Sequence, residues 1–238
     1  MSEAVNSVAA EEKKTIVTKK DLLKAWWKWT LAVEVPVSFD RMQALAFGYS
    51  MNKVLRKLYK DDPEELQAAM RRHTSMFNTN CDWGSIIHGI TISLEEQRAL
   101  GHDDISPEVI QSLKLGLMGP LAGIGDTLFG VIANTIFFSI GSYMALEGNP
   151  IGVIMYLIWG CIRVALRGQF IRIGYREGTK LIQNLGDKMN RVTEAASILG
   201  LTVVGALIPS VVNANVPFVF KSGEVKMELQ NILNQIMP

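Results

Sequence analysis

The sequence lacks an excess of charge of either sign. Its 238 residues carry 24 Lys and Arg against 23 Asp and Glu, a formal net charge of +1, so the basic footprint that nucleic-acid binding requires is missing. Cysteine is scarce too: Cys81 stands in polar sequence and Cys161 in an apolar run, a pair that supports neither a disulfide framework nor a zinc set. Redox and metal chemistry are therefore not expected. Charge as a whole is sparse, at 20% beside 48% hydrophobic residues, where soluble domains carry roughly 25% charged residues. This excludes disorder and argues against an ordinary soluble enzyme. Residues 1–18 are polar, and Lys13 and Lys14 have no apolar stretch behind them. The expectation is a polar N-terminal tail that is neither a secretory signal nor a lipidation site and starts in the cytoplasm.

The charge that is present avoids particular stretches. Residues 195–220 contain none, and that is longer than the roughly 20 residues with which a helix crosses a bilayer. Residues 127–146 are similarly uncharged; the turn-like Glu147, Gly148, Asn149 and Pro150 follow, and a second apolar run reaches Arg163. Residues 127–162 therefore predict an apolar helical hairpin. A buried soluble core is the alternative, since a core helix is also apolar all round. Beyond the hairpin, Arg163, Arg167, Arg172, Arg176, Lys180, Lys188 and Arg191 outnumber the acids, which predicts a cytoplasmic connection over residues 163–191. Arg172, Arg176 and Lys180 share one helical face. That face is either simply solvated or a dock for an acidic partner or anionic headgroups.

The N-terminal half, residues 19–114, is amphipathic. Trp26, Trp27 and Trp29 alternate with Lys20, Lys24 and Lys28, a mixture suited to the lipid–water interface, with core tryptophans as the alternative. Helical spacing runs over residues 38–59 after a break at Pro36, and Pro63 opens a further helix over residues 64–77. Residues 84–94 are apolar but too short to span, which suits a re-entrant or buried segment.

Three polar patches interrupt apolar sequence. Residues 115–126 read LGLMGPLAGIGD, with Gly119, Gly123 and Gly125 around Pro120 and Asp126 at the end. No Lys follows the glycines, so the phosphate-binding loop pattern fails and no cofactor is expected. Close helix packing explains the four-residue glycine spacing, whereas Asp126 at the mouth of a span needs a partner or a polar solute. Residues 199–217 hold a second Gly/Pro-interrupted run with Asn213 and Asn215, and paired interruptions mark broken helices at transporter sites. The third patch joins Asn78, Trp83, Glu95 and Gln97, chemistries that hold sugar hydroxyls. Helix capping by Asn78 or Thr79 is the competing role. His88, alone in an apolar run, is expected to be a hydrogen-bonded core residue and not a phosphohistidine.

Five segments carry a family resemblance: SFDRMQALAFGYSM at residues 38–51, FNT at 77–79, SLEEQRALG at 93–101, KLGLMGPLAGIGDTLF at 114–129 and TEAASILGLTVVGAL at 193–207. The chain from about Asp21 onward resembles the IID subunit of the mannose/fructose/sorbose family of the bacterial phosphoenolpyruvate-dependent sugar phosphotransferase system. The resemblance implies a membrane subunit that pairs with IIC to form the sugar translocator, while IIA and IIB carry the phosphoryl group and IID itself is not catalytic. It further implies higher oligomers of IIC–IID units, rigid-body movement of one domain, and residence in the bacterial inner membrane as a multi-pass protein. The pattern departs at Asn80, Cys81 and Asp82, where relatives often have His-Pro or Gln-Pro, and at Thr127 and Gly130; both places suit sugar contacts. Relatives continue into another hydrophobic region where this sequence stops at Pro238, which implies a truncated or shortened variant.

The expected fold class is an all-α integral membrane protein, with interfacial or cytoplasmic N-terminal helices and a membrane region, residues 115–238, of transmembrane and discontinuous, Gly/Pro-broken helices. Expected partners are IIC, IIB, IIA, sugar and membrane lipid. Asn78, Glu95 and Asp126 are the transport candidates, with Gly119, Gly123 and Gly125 as the glycine loop. A non-transporting membrane docking or regulatory subunit is the alternative function.

Overall fold

The computed structural model describes residues 15–102 and 104–185, with isolated helical positions at Ile198 and Thr202 and two short strands near the C-terminus. Among the described residues, seven α-helices run in chain order: α1 (Lys19–Ala32), α2 (Ala44–Leu58), α3 (Pro63–His73), α4 (Gly84–Ala99), α5 (Pro107–Gly125), α6 (Asn134–Leu146) and α7 (Ile151–Leu185). A π-helical segment, Asp126–Ala133, joins α5 to α6 without a break. The strands β1 (Val219–Ser222) and β2 (Val225–Glu228) pair antiparallel, Val219 opposite Glu228. The chain is an all-α membrane protein with this small ribbon added.

Local chemistry sets the helix ends. Thr18 caps α1 in a reciprocal capping box with Asp21, and Asp62 and Ser106 cap α3 and α5, each followed by a proline at the first helical position. Such caps satisfy backbone N–H groups that the first turn leaves free. Gly101 and Gly148, at φ 94° and 71°, close α4 and α6 in the left-handed conformation that glycine adopts without strain. The expected turn at residues 147–150 is thus present. Helix α2 starts later than its spacing suggests. Met42, at φ 51°, bridges Ser38 and Phe77, so residues 38–43 form a loop and Phe39 lies outside the protein.

The helices form a body and a projecting hairpin. In the body, α1 to α4 enclose Trp29, Phe47, Met51, Leu55, Phe77 and Ile87, all free of solvent. Two of the three tryptophans expected at the lipid interface belong to this interior. Trp29 is fully buried and donates to the Cys81 carbonyl at 3.0 Å; the partly buried Trp26 donates to the Val164 carbonyl at 3.1 Å. Only Trp27 stays outside, because the indole N–H groups of the others find carbonyl partners inside.

Residues 84–94 belong to α4, a buried helix of the body and not a re-entrant loop. Its glycine faces the backbone of α7: a Cβ at Gly89 would collide with the Ile171 carbonyl oxygen, and one at Gly174 with that of Ile86. Ser93 and Thr179 join the same helices at 2.8 Å. Small residues let two backbones approach this closely, which is how α4 is buried on all sides while carrying few large side chains toward α7.

The hairpin is α5, the π segment and α6, packed against the first half of α7. Gly141 and Gly152 meet backbone to backbone, Phe137 stacks on Trp159 with centroids 4.9 Å apart, and Trp159 donates to Asn134 at 3.1 Å. Residues 107–146 and 151–179 are each long and apolar enough to cross a membrane, and little of either is buried. Val131, Phe138, Leu146 and Leu157 point outward. A soluble core helix buries such residues, so the alternative of a soluble apolar core is rejected.

Two expectations about helix limits change. The Gly/Pro run around Pro120 remains helical, and the interruption follows it as the π segment; a proline in a transmembrane helix is tolerated where neighbouring groups satisfy the freed carbonyl. Arg163 does not begin a connection, because α7 runs unbroken past it. The expected span at 195–220, the second interrupted run with Asn213 and Asn215, and Lys188 and Arg191 lie outside the described residues, apart from the helical positions Ile198 and Thr202 and from Val219 and Phe220 in β1.

The tight α4–α7 contact gives a direct test. Gly174→Leu must displace the Ile86 backbone, and overpacking of this kind costs ~1–3 kcal/mol or more. The expected result is a marked loss of membrane-inserted protein, whereas Gly160→Leu, with open space around it, leaves the level unchanged. Quantitative immunoblotting of membrane fractions distinguishes the two.

Candidate functional site

A polar cavity of about 330 Å³ opens where the body meets the hairpin, lined by Glu34, Gln43, Asn78, Thr79, Asn80, Cys81, Ala122, Asp126, Gly130 and Arg163. Ligand pockets begin at roughly this size. A second cavity, of about 220 Å³ between α6 and α7, is almost wholly apolar and belongs to the lipid-facing hairpin.

The segment between α3 and α4 builds one wall. Asn80 accepts from the backbone N–H groups of Asp82 and Trp83 at 3.0 and 3.1 Å, which fixes its amide orientation. Its NH2 group then donates to Asp126 Oδ1 at 2.9 Å. This cap-like role falls to Asn80 and not to Asn78 or Thr79. The contact requires Gly125, where a Cβ would strike the Asn80 side chain. Gln43 holds the same segment by pairing with the Thr79 backbone, at 2.9 Å to the carbonyl and 3.2 Å from the N–H. Thr79 Oγ1 donates to the Met118 carbonyl at 3.1 Å, tying the wall to α5.

Behind the wall lies an ionic cluster. Asp82, with no exposed surface, accepts from Arg163 Nη2 at 2.6 Å and Arg167 Nε at 2.5 Å. Arg167 Nη2 also reaches Cys81 Sγ at 3.0 Å. Burial pushes the Cys81 thiol up to about 11 despite the Arg167 charge, so it stays protonated and is a poor nucleophile. Among the described residues, no three His, Cys, Asp or Glu side chains are placed to hold a metal ion.

Of the three transport candidates, Asn78 and Asp126 share this cavity and are exposed. Glu95 is not part of its lining. Its carboxylate is fully buried and accepts from Arg72 at 2.8 and 3.0 Å, from Tyr59 at 2.5 Å and from His73 at 2.6 Å. Arg72 continues to Glu65, and Glu65 to Arg98. Gly125 buries its face against Asn80, while Gly119 and Gly123 are half-buried on α5. Trp83 packs on Phe170 and Phe129 and does not line the cavity. Sequence reasoning missed Gln43, Glu34 and Arg163 as lining residues. The signal for Arg163 was an arginine directly after an apolar run, which calls for an acid such as Asp82.

Residues 16–238 match the PTS system mannose/fructose/sorbose family IID component. The chain belongs to this family. It is 35% identical to the PTS system mannose-specific EIID component of Escherichia coli O6:H1 (strain CFT073), covering 100% of this chain and 85% of that protein. It is 33% identical to the PTS system sorbose-specific EIID component of Lacticaseibacillus casei, over 97% and 83% of the two chains. A chain in the cryo-EM structure of the mannose transporter ManYZ in complex with microcin E492 superposes with a TM-score of 0.83 at 35% identity, covering 94% of this chain and 84% of its own. As a IID component, the chain is a membrane subunit of a sugar phosphotransferase permease.

The IID chain encloses two histidines. His88 stacks on Phe47, with centroids 4.6 Å apart, and its Nε2–H donates to Ser50, whose hydroxyl donates in turn to the Phe47 carbonyl. Burial drives its pKa down to about 3. His73 shifts downward for the same reason, with Glu95 only partly opposing. Each ring leaves Nδ1 without a partner, and an unpaired lone pair is cheaper to bury than the unpaired N–H of an imidazolium. Glu95 therefore stays ionised against Arg72, well below the usual carboxylate range, and His73 is its neutral donor.

These groups set a pH dependence. Unfolded histidines bind a proton near pH 6.5, but the folded rings do not. Their contribution is complete above that value and is lost as pH falls from about 6.5 toward about 3. Glu95 loses its share only below its unfolded value of about 4.3. The melting temperature of the detergent-solubilised protein should fall from pH 6.5 to pH 5, and His88→Gln, which cannot titrate, should fall less steeply. Identical slopes would mean that His88 is charged in the fold.

Proposed function

We propose that this IID subunit forms a sugar translocator with a IIC subunit, and that the cavity between body and hairpin contributes polar contacts along the sugar path. The carrying observation is the convergence of Asn78, Asn80 and Asp126 at the inner end of the lipid-facing hairpin. Amides and carboxylates serve both donor and acceptor sides of sugar hydroxyls. The sugar is phosphorylated by IIB, which IIA supplies, and IID acts without catalysis of its own. In support of that, His73 and His88 are sealed from solvent, where no phosphocarrier could reach them. Glu95 serves as a structural joint of the body. Two such subunits of unlike kind, assembled into larger oligomers, fit a translocator better than a docking subunit, which has no use for a polar chamber.

In this reading Asp126→Asn leaves membrane level and IIC assembly normal but lowers sugar uptake at least about tenfold, since a hydrogen bond to a charged group is worth roughly 1.5–3 kcal/mol. Gly125→Ala should act alike by displacing Asn80. Glu95→Gln should instead lower abundance first, because it strands a buried arginine at a cost of about 3–5 kcal/mol. Uptake of labelled sugar in cells, beside co-purification of IIC, separates these outcomes; normal uptake in Asp126→Asn would favour the non-transporting docking subunit.

The protein is further proposed to be a multi-pass protein of the bacterial inner membrane, with the exposed Arg172 and Arg176 on the cytoplasmic side. The turn at residues 147–150 then faces outward. In a background lacking Cys81 and Cys161, a cysteine at Asn149 should react with an impermeant thiol reagent in intact cells, and one at Arg172 should not. The opposite labelling reverses the topology.

A further inference from the structure

Helices α1 and α2 run side by side with their cationic residues facing one seam. Lys28 sits over the Tyr49 ring at 4.6 Å, and Lys57 pairs with Asp21 at 2.7 Å. Between these contacts Lys24 meets Lys53, and the second ammonium holds the Lys24 pKa below the ordinary lysine value. Lys20, one turn from Lys24, and Lys24 and Lys53 make no salt bridge among the described residues, and all three are exposed. Asp21 offsets them only in part and is already engaged by Lys57, and like charges held together are unfavourable unless an anion completes the site.

The same face of α1 is apolar as well as basic. Leu23, Trp27 and Leu31 are 39%, 46% and 72% exposed, and at 100° per residue they fall beside Lys20 and Lys24. A soluble acidic partner would account for the lysines but not for an exposed indole and two leucines among them. Helix α1 meets α7 at Val164 and Gly168, through the Trp26 N–H and ring. The uncharged lipid-facing run of α7 ends at Ile162. Contact therefore lies about 3–9 Å farther along the helix axis than the last residue of that run. The seam is thus continuous with the lipid-facing surface of the hairpin.

We infer that the α1–α2 lysine seam, with Trp27 at its edge, is a docking surface for the headgroups of anionic phospholipids. The phosphates sit between Lys24 and Lys53, with Lys20 beside them, and Trp27, Leu23 and Leu31 reach the acyl boundary. This surface fixes the body against the membrane on one side while the hairpin anchors it on the other.

The test uses the purified IIC–IID complex in nanodiscs of equal parts phosphatidylcholine and phosphatidylglycerol, with bromine on the acyl chains of one lipid or the other. Subtracting the signal of Trp27→Phe isolates the Trp27 emission. Brominated phosphatidylglycerol should quench it several-fold more than brominated phosphatidylcholine. The preference should vanish when Lys20, Lys24 and Lys53 are all changed to Gln, since a lysine near an anionic surface contributes on the order of fivefold in local enrichment. These exposed substitutions leave the core tryptophans in place, and unchanged emission of the Trp27→Phe background reports an intact fold. Equal quenching by both lipids, or a preference that survives in the triple variant, overturns the inference. Absence of quenching by either lipid also overturns it and assigns the face to a protein partner.

Discussion

The buried carboxylate of Asp82, held between Arg163 and Arg167, fixes how the body and the hairpin meet. The two arginines lie one turn apart on α7, so a single acid engages both, one at each oxygen. Removing three charges from water is costly, and the arrangement persists only because each charge is hydrogen-bonded. It stops the lipid-facing part of α7 at a defined residue and starts its protein-buried part. Everything on the cavity wall follows from that junction: Cys81 is drawn toward Arg167, Asn80 is set by the Asp82 and Trp83 amides, and Asn80 in turn holds Asp126. The cluster carries one positive charge in excess, and Asp126 and Glu34 line the cavity that Arg163 reaches. A neutral, hydroxylated solute meets a chamber whose charges are nearly balanced, whereas a lone ion would disturb that balance.

Helix α4 shows the second constraint, a buried helix that is polar in places on every side. His88 turns to Ser50, Glu95 to Arg72 and Tyr59, and Ser93 to Thr179. Glu96 accepts from the backbone of Ile16 and Val17 at 2.5 and 2.6 Å and from the Tyr175 hydroxyl. One helix thereby joins Ile16 and Val17, the body and α7. Each of these side chains has at least one partner, with the His88 Nδ1 lone pair left over, and such pairing is the condition for burying them.

The features legible in the sequence were those written in local chemistry: the uncharged runs, the turn at Gly148, Pro63 opening α3, and His88 as a core residue. Asn78 and Asp126, polar residues beside apolar runs, line one cavity, and their part in transport is the proposal made above. The misread features depend on residues far apart in the chain. Arg163 and Arg167 read as the start of a cytoplasmic connection because their acid stands 81 and 85 residues away. Glu95 read as a transport group because Arg72 and Tyr59, which saturate it, belong to other helices. Trp29 read as interfacial because lysines flank it, yet in a helix its neighbours in sequence lie on other faces.

The π segment resolves what the Gly/Pro run left open. Ala122, Asp126 and Gly130 line the cavity at intervals of four residues. In an α-helix each such step drifts by about 40° around the axis, so two steps would carry the third residue off the cavity. The first step crosses α-helix, but the second lies within the π segment, whose wider turn holds more residues and turns each through a smaller angle. The second step therefore drifts back and returns Gly130 to the face of Ala122. Beyond it, α6 resumes the tighter winding and presents Phe138 and Leu146 to lipid. A π turn beginning at Asp126 thus lets one continuous helix line a polar chamber and then face the bilayer without breaking its backbone hydrogen bonds, which a loop at the same depth would leave unsatisfied.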